Sequence, residues 1–349
     1  MKLKYIARYF SELFSGERKL KLHFEKEVFS FDVDKIPLIE LSNNAIYKNL
    51  ITIDGSGASG SSAVTDFLAE FLSCTVLGGV DARENPERGI ENQYEVDFFR
   101  DVNGLQELEK ICYSNNKRIK CNAINNYLRL IATYYKKNHA IYNDFFLSAT
   151  KKFILDIVDF VNIYKDGTKE YYPKELTVSA YRTIANNYIH RVLESIPSKD
   201  NLVLDAAMSI NEPNIKLLTD YWGNFKLIYV WRDPRDIYVT GRNLDDCDWI
   251  PKDPEIFVKW YLRDCPKYIE KKDNSLLTIR FEDFVFNYEN VTKQIVDFIG
   301  TIKSEEHIYR KKFFNPEKSK NNIGIYKNYN DKEAIKYIED NLKEFCYDL

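Results

Sequence analysis

Residues 49–71 read NLITIDGSGASGSSAVTDFLAEF, and the fold of the whole chain turns on them. Leu50, Ile51 and Ile53 are apolar or β-branched, as a buried pleated strand prefers. Ala63, Phe67, Leu68 and Phe71 recur at three- and four-residue spacing and so share one face of a helix. Between strand and helix lie Gly55, Gly57 and Gly60 with Ser56, Ser59, Ser61 and Ser62. Glycines let backbone N–H groups turn inward about an anion, and the helix N-terminus that follows adds partial positive charge. The loop is shaped for phosphate-like or sulfate-like oxygens, although Gly and Ser also build ordinary strand-to-helix turns. Gly55 and Gly60 have the Gly-x-x-x-x-Gly spacing of the Walker loop, but Ser61 stands where that loop carries Lys. An ordinary ATPase or GTPase is therefore disfavoured.

The chain has 349 residues, enough for one large or two ordinary domains, and its 44% hydrophobic content supports a sizeable core. Lys plus Arg total 50 against 53 Asp plus Glu, so the basic excess of a nucleic-acid binder is missing. Cys74, Cys112, Cys121, Cys247, Cys265 and Cys346 form no Cys-x-x-Cys pair, and there are four histidines, a usage that argues against a zinc site. The opening MKLKYIARYFSELFSGERKLK lacks the apolar core of a secretory signal, and no stretch reaches the roughly 18 to 20 apolar residues of a membrane span. The expectation is a cytoplasmic protein with reduced thiols. Tyr5, Ile6, Tyr9, Phe10 and Leu13 form an amphipathic pattern suited to packing on the protein's own domain or to peripheral contact with a membrane.

Residues 1–48 read as an N-terminal extension and 49–349 as an α/β domain. The segment 78–104 is polar and turn-rich, a long connection of the kind that often carries function. Residues 105–197 switch to long helical patterns, LQELEKICY, AINNYLRLIATYY, FILDIVDFVNIY and YRTIANNYIHRVLESI, which predict a helical insertion in that domain, expected to shape the site of a second, acceptor substrate if the domain transfers a group. Beyond Pro197 the short apolar strands NLVLDAAM, NFKLIYVW and SLLTIR alternate with helices. That alternation predicts a three-layer parallel sheet with helices on both faces.

The strand LIYVW, residues 227–231, runs into RDPRDIYVTGRN, residues 232–243. In open parallel sheets ligands bind beyond the carboxyl ends of the strands, where these residues fall. Arg232 offers a forked, permanently charged donor, and Pro234 suits the first turn of a helix. Thr240 follows Arg232 by eight residues, about two helical turns, which lets its hydroxyl face the same anion.

These segments resemble the sulfotransferase family, enzymes that use 3′-phosphoadenosine 5′-phosphosulfate (PAPS) on a P-loop NTPase-like fold. GSGASGSSAVTDFL is similar to the family's 5′-phosphosulfate loop, and LIYVWRDPRDIYVTG to its 3′-phosphate motif. LLTIRFEDFVFNYENVTKQIVDFIG is similar to its strand, Glu-Asp turn and helix, and NNIGIYKNY to its Gly-x-Trp-Lys loop, with Tyr326 for Trp. The four occur in the family's order and span residues 49–75 and 200–345. The resemblance implies PAPS as co-substrate without a metal, and a small-molecule or glycan acceptor. Gly57, Ala58, Ser59, Gly60, Ser61 and Ser62 would hold the 5′-phosphosulfate. Arg232 and Thr240 would bind the 3′-phosphate, helped by Lys320. YEVDFFRD resembles a stretch of the carbohydrate branch and places Glu95 as the catalytic base, with Asp97 and Asp81 in reserve.

One departure stands out. The family has Lys or Arg just before the loop's Ser-Gly, and here that position is Ala58. Loss of a charged donor at a developing negative charge costs about 2.7 to 4 kcal/mol by analogy with oxyanion donors. Arg83, Arg88 and Arg100 are the substitutes that the connection offers. Two alternatives stay open: a P-loop small-molecule kinase, and a degenerate nucleotide-binding relative without efficient transfer. The acceptor and the oligomeric state are not legible in the chain.

Overall fold

The structure is a computed structural model, and it describes residues 38–39, 49–77, 102–137, 144–163, 169–194, 200–205, 215–243, 250–269 and 273–349. Its strands are β1 (Asn49–Gly55), β2 (Cys74–Leu77), β3 (Val158–Ile163), β4 (Lys169–Pro173), β5 (Asn201–Asp205), β6 (Phe225–Trp231) and β7 (Leu276–Arg280). The chain divides into two compact units, one of residues 1–47, 101–197 and 216–223 and one of 48–100, 198–215 and 224–349.

The second unit is built on a five-stranded sheet in the order β2-β5-β1-β6-β7, with every pairing parallel. It is an α/β fold. Ile51, Ile53, Ile228 and Val230 are buried on one face, and Leu50, Thr52, Leu227 and Tyr229 are buried as well. Burial on both faces is why these strands read as continuous apolar runs rather than alternating ones. Helix α1 (Ser61–Ala69) and the helix Tyr288–Ile299 cover the first face through Val64, Phe67, Leu68, Ile295 and Ile299, which belong to one core with Ile51 and Val230. Helix Pro254–Asp264 packs at the other face: the Tyr261 hydroxyl donates to the Arg232 carbonyl at 3.2 Å, and Tyr229 reaches the Cys265 sulfur at 3.6 Å. Asp253 starts that helix by accepting from the Ile256 amide, with Pro254 behind it.

From β1 the chain crosses over β5 to β2, whereas from β6 it continues outward to β7. The two connections leave the sheet in opposite directions, which opens a crevice beyond the carboxyl ends of β1 and β6.

The first unit is mainly helical, with helices over Lys117–Lys137, Asp144–Ile157 and Val178–Glu194. It is not wholly so. The stretch FILDIVDFVNIY is helix only as far as Ile157, and β3 then pairs antiparallel with β4. Val158, Val161 and Ile163 supply the β-branched positions that favour a strand once a partner is at hand. Tyr181, Tyr188, Phe146 and Phe153 are buried there, with Phe153 and Tyr188 stacked at 4.5 Å. A buried Glu109 accepts from Arg182 Nε at 2.8 Å and from the Tyr221 hydroxyl at 2.5 Å. Among the described residues no helix is long and apolar enough to cross a membrane. The amphipathic N-terminal pattern and the 78–100 connection lie outside the described residues, and with them Glu95, Asp97, Asp81, Arg83, Arg88 and Arg100.

Candidate active site

Because β1 and β6 are neighbours with Gly55 opposite Val230, the loop after β1 and Arg232 after β6 emerge side by side. Gly55 cannot be replaced: a Cβ there would lie 2.1 Å from the Ser59 hydroxyl and 2.4 Å from the Val230 carbonyl. The loop turns tightly, with the Ser59 amide donating to the Ser56 carbonyl at 2.9 Å, and Ala58 and Gly60 adopt left-handed φ of 59° and 87°. Helix α1 then begins at Ser61. The amides of Gly57, Ala58, Gly60, Ser61 and Ser62 have no backbone acceptor among the described residues, so they are available to an anion.

Arg232 is 4% exposed. Its NH1 donates to the Ala58 carbonyl at 3.0 Å and to the Thr240 hydroxyl at 3.2 Å, and its NH2 to the Asn322 carbonyl. Its Nε is buried without a partner, and among the described residues no carboxylate lies within ion-pair distance. Burial pushes the guanidinium pKa down, against the attraction of Asp236, Glu282 and Asp233. A desolvated cation with a spare donor is an incomplete arrangement that an anion completes.

The neighbouring acids of the Arg232–Asp236 stretch serve the backbone instead. Asp236 accepts from the amides of Gly324 at 2.7 Å and Tyr326 at 3.2 Å, which fastens the C-terminal loop to helix Pro234–Asn243. Burial raises its carboxyl pKa, opposed by Arg232 and by those amides. Asp233 accepts from Arg235 and from the Tyr347 amide at 2.8 Å, and Glu282 accepts from the Asp233 amide at 2.9 Å. Tyr326, standing where the resemblance has Trp, lies under the Arg235 guanidinium at 4.0 Å.

Loop, guanidinium and hydroxyl open on one cavity of about 410 Å³ whose lining includes Ala58, Gly60, Ser62, Arg232 and Thr240. Gly57, Ser59 and Ser61 flank that lining from within the loop. The opposite wall holds Phe281, Lys311, Lys312 and Lys318. Phe281 backs Gly60 so closely that a Cβ would meet its ring at 2.4 Å, and its ring lies 5.2 Å from the Arg232 guanidinium carbon. Lys320 is not in the lining; its ammonium pairs with Glu317 at 2.7 Å, and the cavity is lined instead by Lys318 on the short helix Pro316–Ser319. Sequence reasoning passed over Lys311, Lys312, Lys318 and Phe281, although the basic density of RKKFFNPEKSK was a visible signal. Among the described residues no cluster of three or more metal-ligating side chains occurs.

No protein-family model matches the chain, and no curated relative does. Among solved structures it is similar to the sulfotransferase domain of the Synechococcus PCC 7002 olefin synthase, at 13% identity and a TM-score of 0.42 over 87% of this chain and 97% of that one. The sulfotransferase domain of the curacin biosynthetic pathway gives 14% and 0.40 over 87% and 99%. A sulfotransferase from Mycobacterium avium gives 12% and 0.38 over 91% and 80%. Likeness at that level leaves the chemistry to be argued from the cavity itself.

Proposed function

We propose that the protein is a cytoplasmic sulfotransferase that moves a sulfuryl group from PAPS to an acceptor hydroxyl, with a carbohydrate as the favoured acceptor class. The observation that carries this reading is Arg232, a buried guanidinium with a spare donor that also hydrogen-bonds the anion-loop carbonyl at Ala58. It ties two separate anion-binding devices to one cavity, as a donor charged at both ends of its ribose requires. The cavity volume falls within the roughly 300–1,000 Å³ of small-molecule sites.

In this reading the amides of 57–62 hold the phosphosulfate, while Arg232 and Thr240 hold the 3′-phosphate. The acceptor oxygen attacks sulfur in line, the bond from sulfur to the bridging oxygen breaks, and adenosine 3′,5′-bisphosphate leaves. Glu95 takes the acceptor proton. Catalysis is positioning plus charge neutralisation. Cytoplasmic residence belongs to the same reading and rests on six cysteines scattered through the sequence without any Cys-x-x-Cys spacing.

Calorimetry with adenosine 3′,5′-bisphosphate and with ATP, each with and without Mg²⁺, tests the reading. Metal-independent bisphosphate binding that drops about a hundredfold in Arg232→Ala supports it. Preference for Mg-ATP refutes it in favour of the kinase. Ala58 favours one other outcome, nucleotide binding without transfer, which a sulfate-transfer assay against hydroxylated acceptors separates: Glu95→Gln should keep bisphosphate affinity and lose most turnover.

A further inference from the structure

The donor postulated above carries about 1.5 to 2 negative charges on its 3′-phosphate alone, with a phosphosulfate beyond it. The loop contributes no side-chain cation, and Arg232 already spends NH1 and NH2 on protein oxygens. Without Lys311 and Lys312 the charged lining of the cavity is Arg232 and Lys318 against Asp66, a net of +1; with them it is +3.

The two lysines are not there by accident of a mobile surface. Glu70, fully buried, caps the C-terminal end of α1 and accepts from the amides of Lys311 at 3.1 Å, Phe313 at 3.0 Å and Phe314 at 3.0 Å, with His307 Nε2 at 2.6 Å. Lys311 takes a left-handed φ of 60°, which costs about 1–2 kcal/mol and persists because those bonds determine its backbone. The helix whose N-terminus ends the anion loop thus fixes, at its other end, the segment that carries both lysines.

We propose that Lys311 and Lys312 are donor-binding residues that supply the cationic charge missing from the anion loop at Ala58, and that Glu70 is the residue that positions them. The inference rests on the sulfotransferase reading, because it takes the anion to be a doubly charged-ended nucleotide. Their ammonium groups pair with the donor's phosphate oxygens and are strongest at low salt.

Calorimetry of the full chain with adenosine 3′,5′-bisphosphate over a range of NaCl concentrations tests this. Lys311→Gln and Lys312→Gln should each weaken binding about tenfold and the double variant about a hundredfold, with a flatter salt dependence. Lys336→Gln, on the exposed helix Lys332–Asn341, should change neither. Both cavity lysines are exposed, so their replacement leaves the fold intact. Glu70→Gln should also weaken binding, but should add no further loss in the double-lysine background; a purely structural role would add its loss in either background. Undiminished affinity and an unchanged salt slope in the double variant would overturn the inference while leaving the sulfotransferase reading in place. Failure of the wild-type chain to bind the bisphosphate would overturn both.

Discussion

Replacing Glu70 by Gln should loosen one segment of the protein and leave the sheet unchanged. Oε1 accepts from Phe313 and Phe314, and Oε2 accepts from Lys311 and faces His307. A carboxamide keeps one oxygen. Its best orientation leaves that oxygen on Phe313 and Phe314 and turns the NH₂ toward His307, whose imidazole can accept by changing tautomer. The Lys311 amide is then orphaned beside a second donor, at about 1–3 kcal/mol, and the two surviving bonds lose their charge assistance, about 1 kcal/mol each. The sum, about 3–5 kcal/mol, matches what removing a buried ionic partner usually costs. Native-state hydrogen exchange reads it residue by residue. The amides of Lys311, Phe313 and Phe314 should lose protection by about two to four powers of ten, at 1.36 kcal/mol per power. Amides of β1 and β6 should keep theirs. A loss below tenfold at all three amides would refute the view that Glu70 holds this segment.

Gly60→Ala should be severe for its size, since it puts a Cβ at a φ of 87° and 2.4 Å from the Phe281 ring. About 1–2 kcal/mol of backbone strain plus 1–3 of repacking should lower the thermal midpoint by several degrees and weaken bisphosphate binding together. Burial pushes the Cys112 thiol up to about 11 and the Cys346 thiol up to about 12. Both should alkylate with iodoacetamide at pH 8 at least a hundredfold more slowly than an ordinary thiol near pKa 8.5, and speed up as pH rises toward 10. Burial also raises the Glu282 carboxyl above its unfolded value of about 4.3. Its folded form therefore holds the proton more tightly, so its contribution to stability is full below that value and is lost as pH rises through the raised folded one. Stability of the wild type relative to Glu282→Gln, measured in urea from pH 4 to 8, should fall across that interval; a flat difference would contradict the assignment.

The sheet was legible because parallel strands buried on both faces must be apolar throughout, as Leu50–Ile53 and Leu227–Val230 are. Arg232 and the glycine loop were legible because their chemistry follows directly after those strands. Periodicity failed at Val158–Ile163, where an apolar run suits either state and pairing with β4 decided. It also could not reach Glu70. An acid after an amphipathic helix reads as solvated surface, and its partners lie 237 to 244 residues away. Lys311 and Lys312 were hidden for the same reason, since nothing local says that a basic run after the last sheet helix folds back over the loop.

The acids around the cavity share one physical role. Glu70, Asp233, Asp236 and Glu282 are all buried, and each accepts from backbone amides: Glu70 from 311, 313 and 314, Asp236 from 324 and 326, Asp233 from 347, Glu282 from 233. Those amides offset part of each carboxylate's desolvation, and Arg235 beside Asp233 and Arg280 beside Glu282 offset more. Loops that would otherwise need their own packing are held around the crevice by these acids. Arg232 is left within their field but bonded directly to none of them, so its charge stays directed at the cavity. The same economy explains how the loop can do without a lysine at Ala58. Once a distant segment is pinned to the loop's own helix by Glu70, a cation on that segment is held almost as firmly as one on the loop, and the loop is left to contribute amides alone.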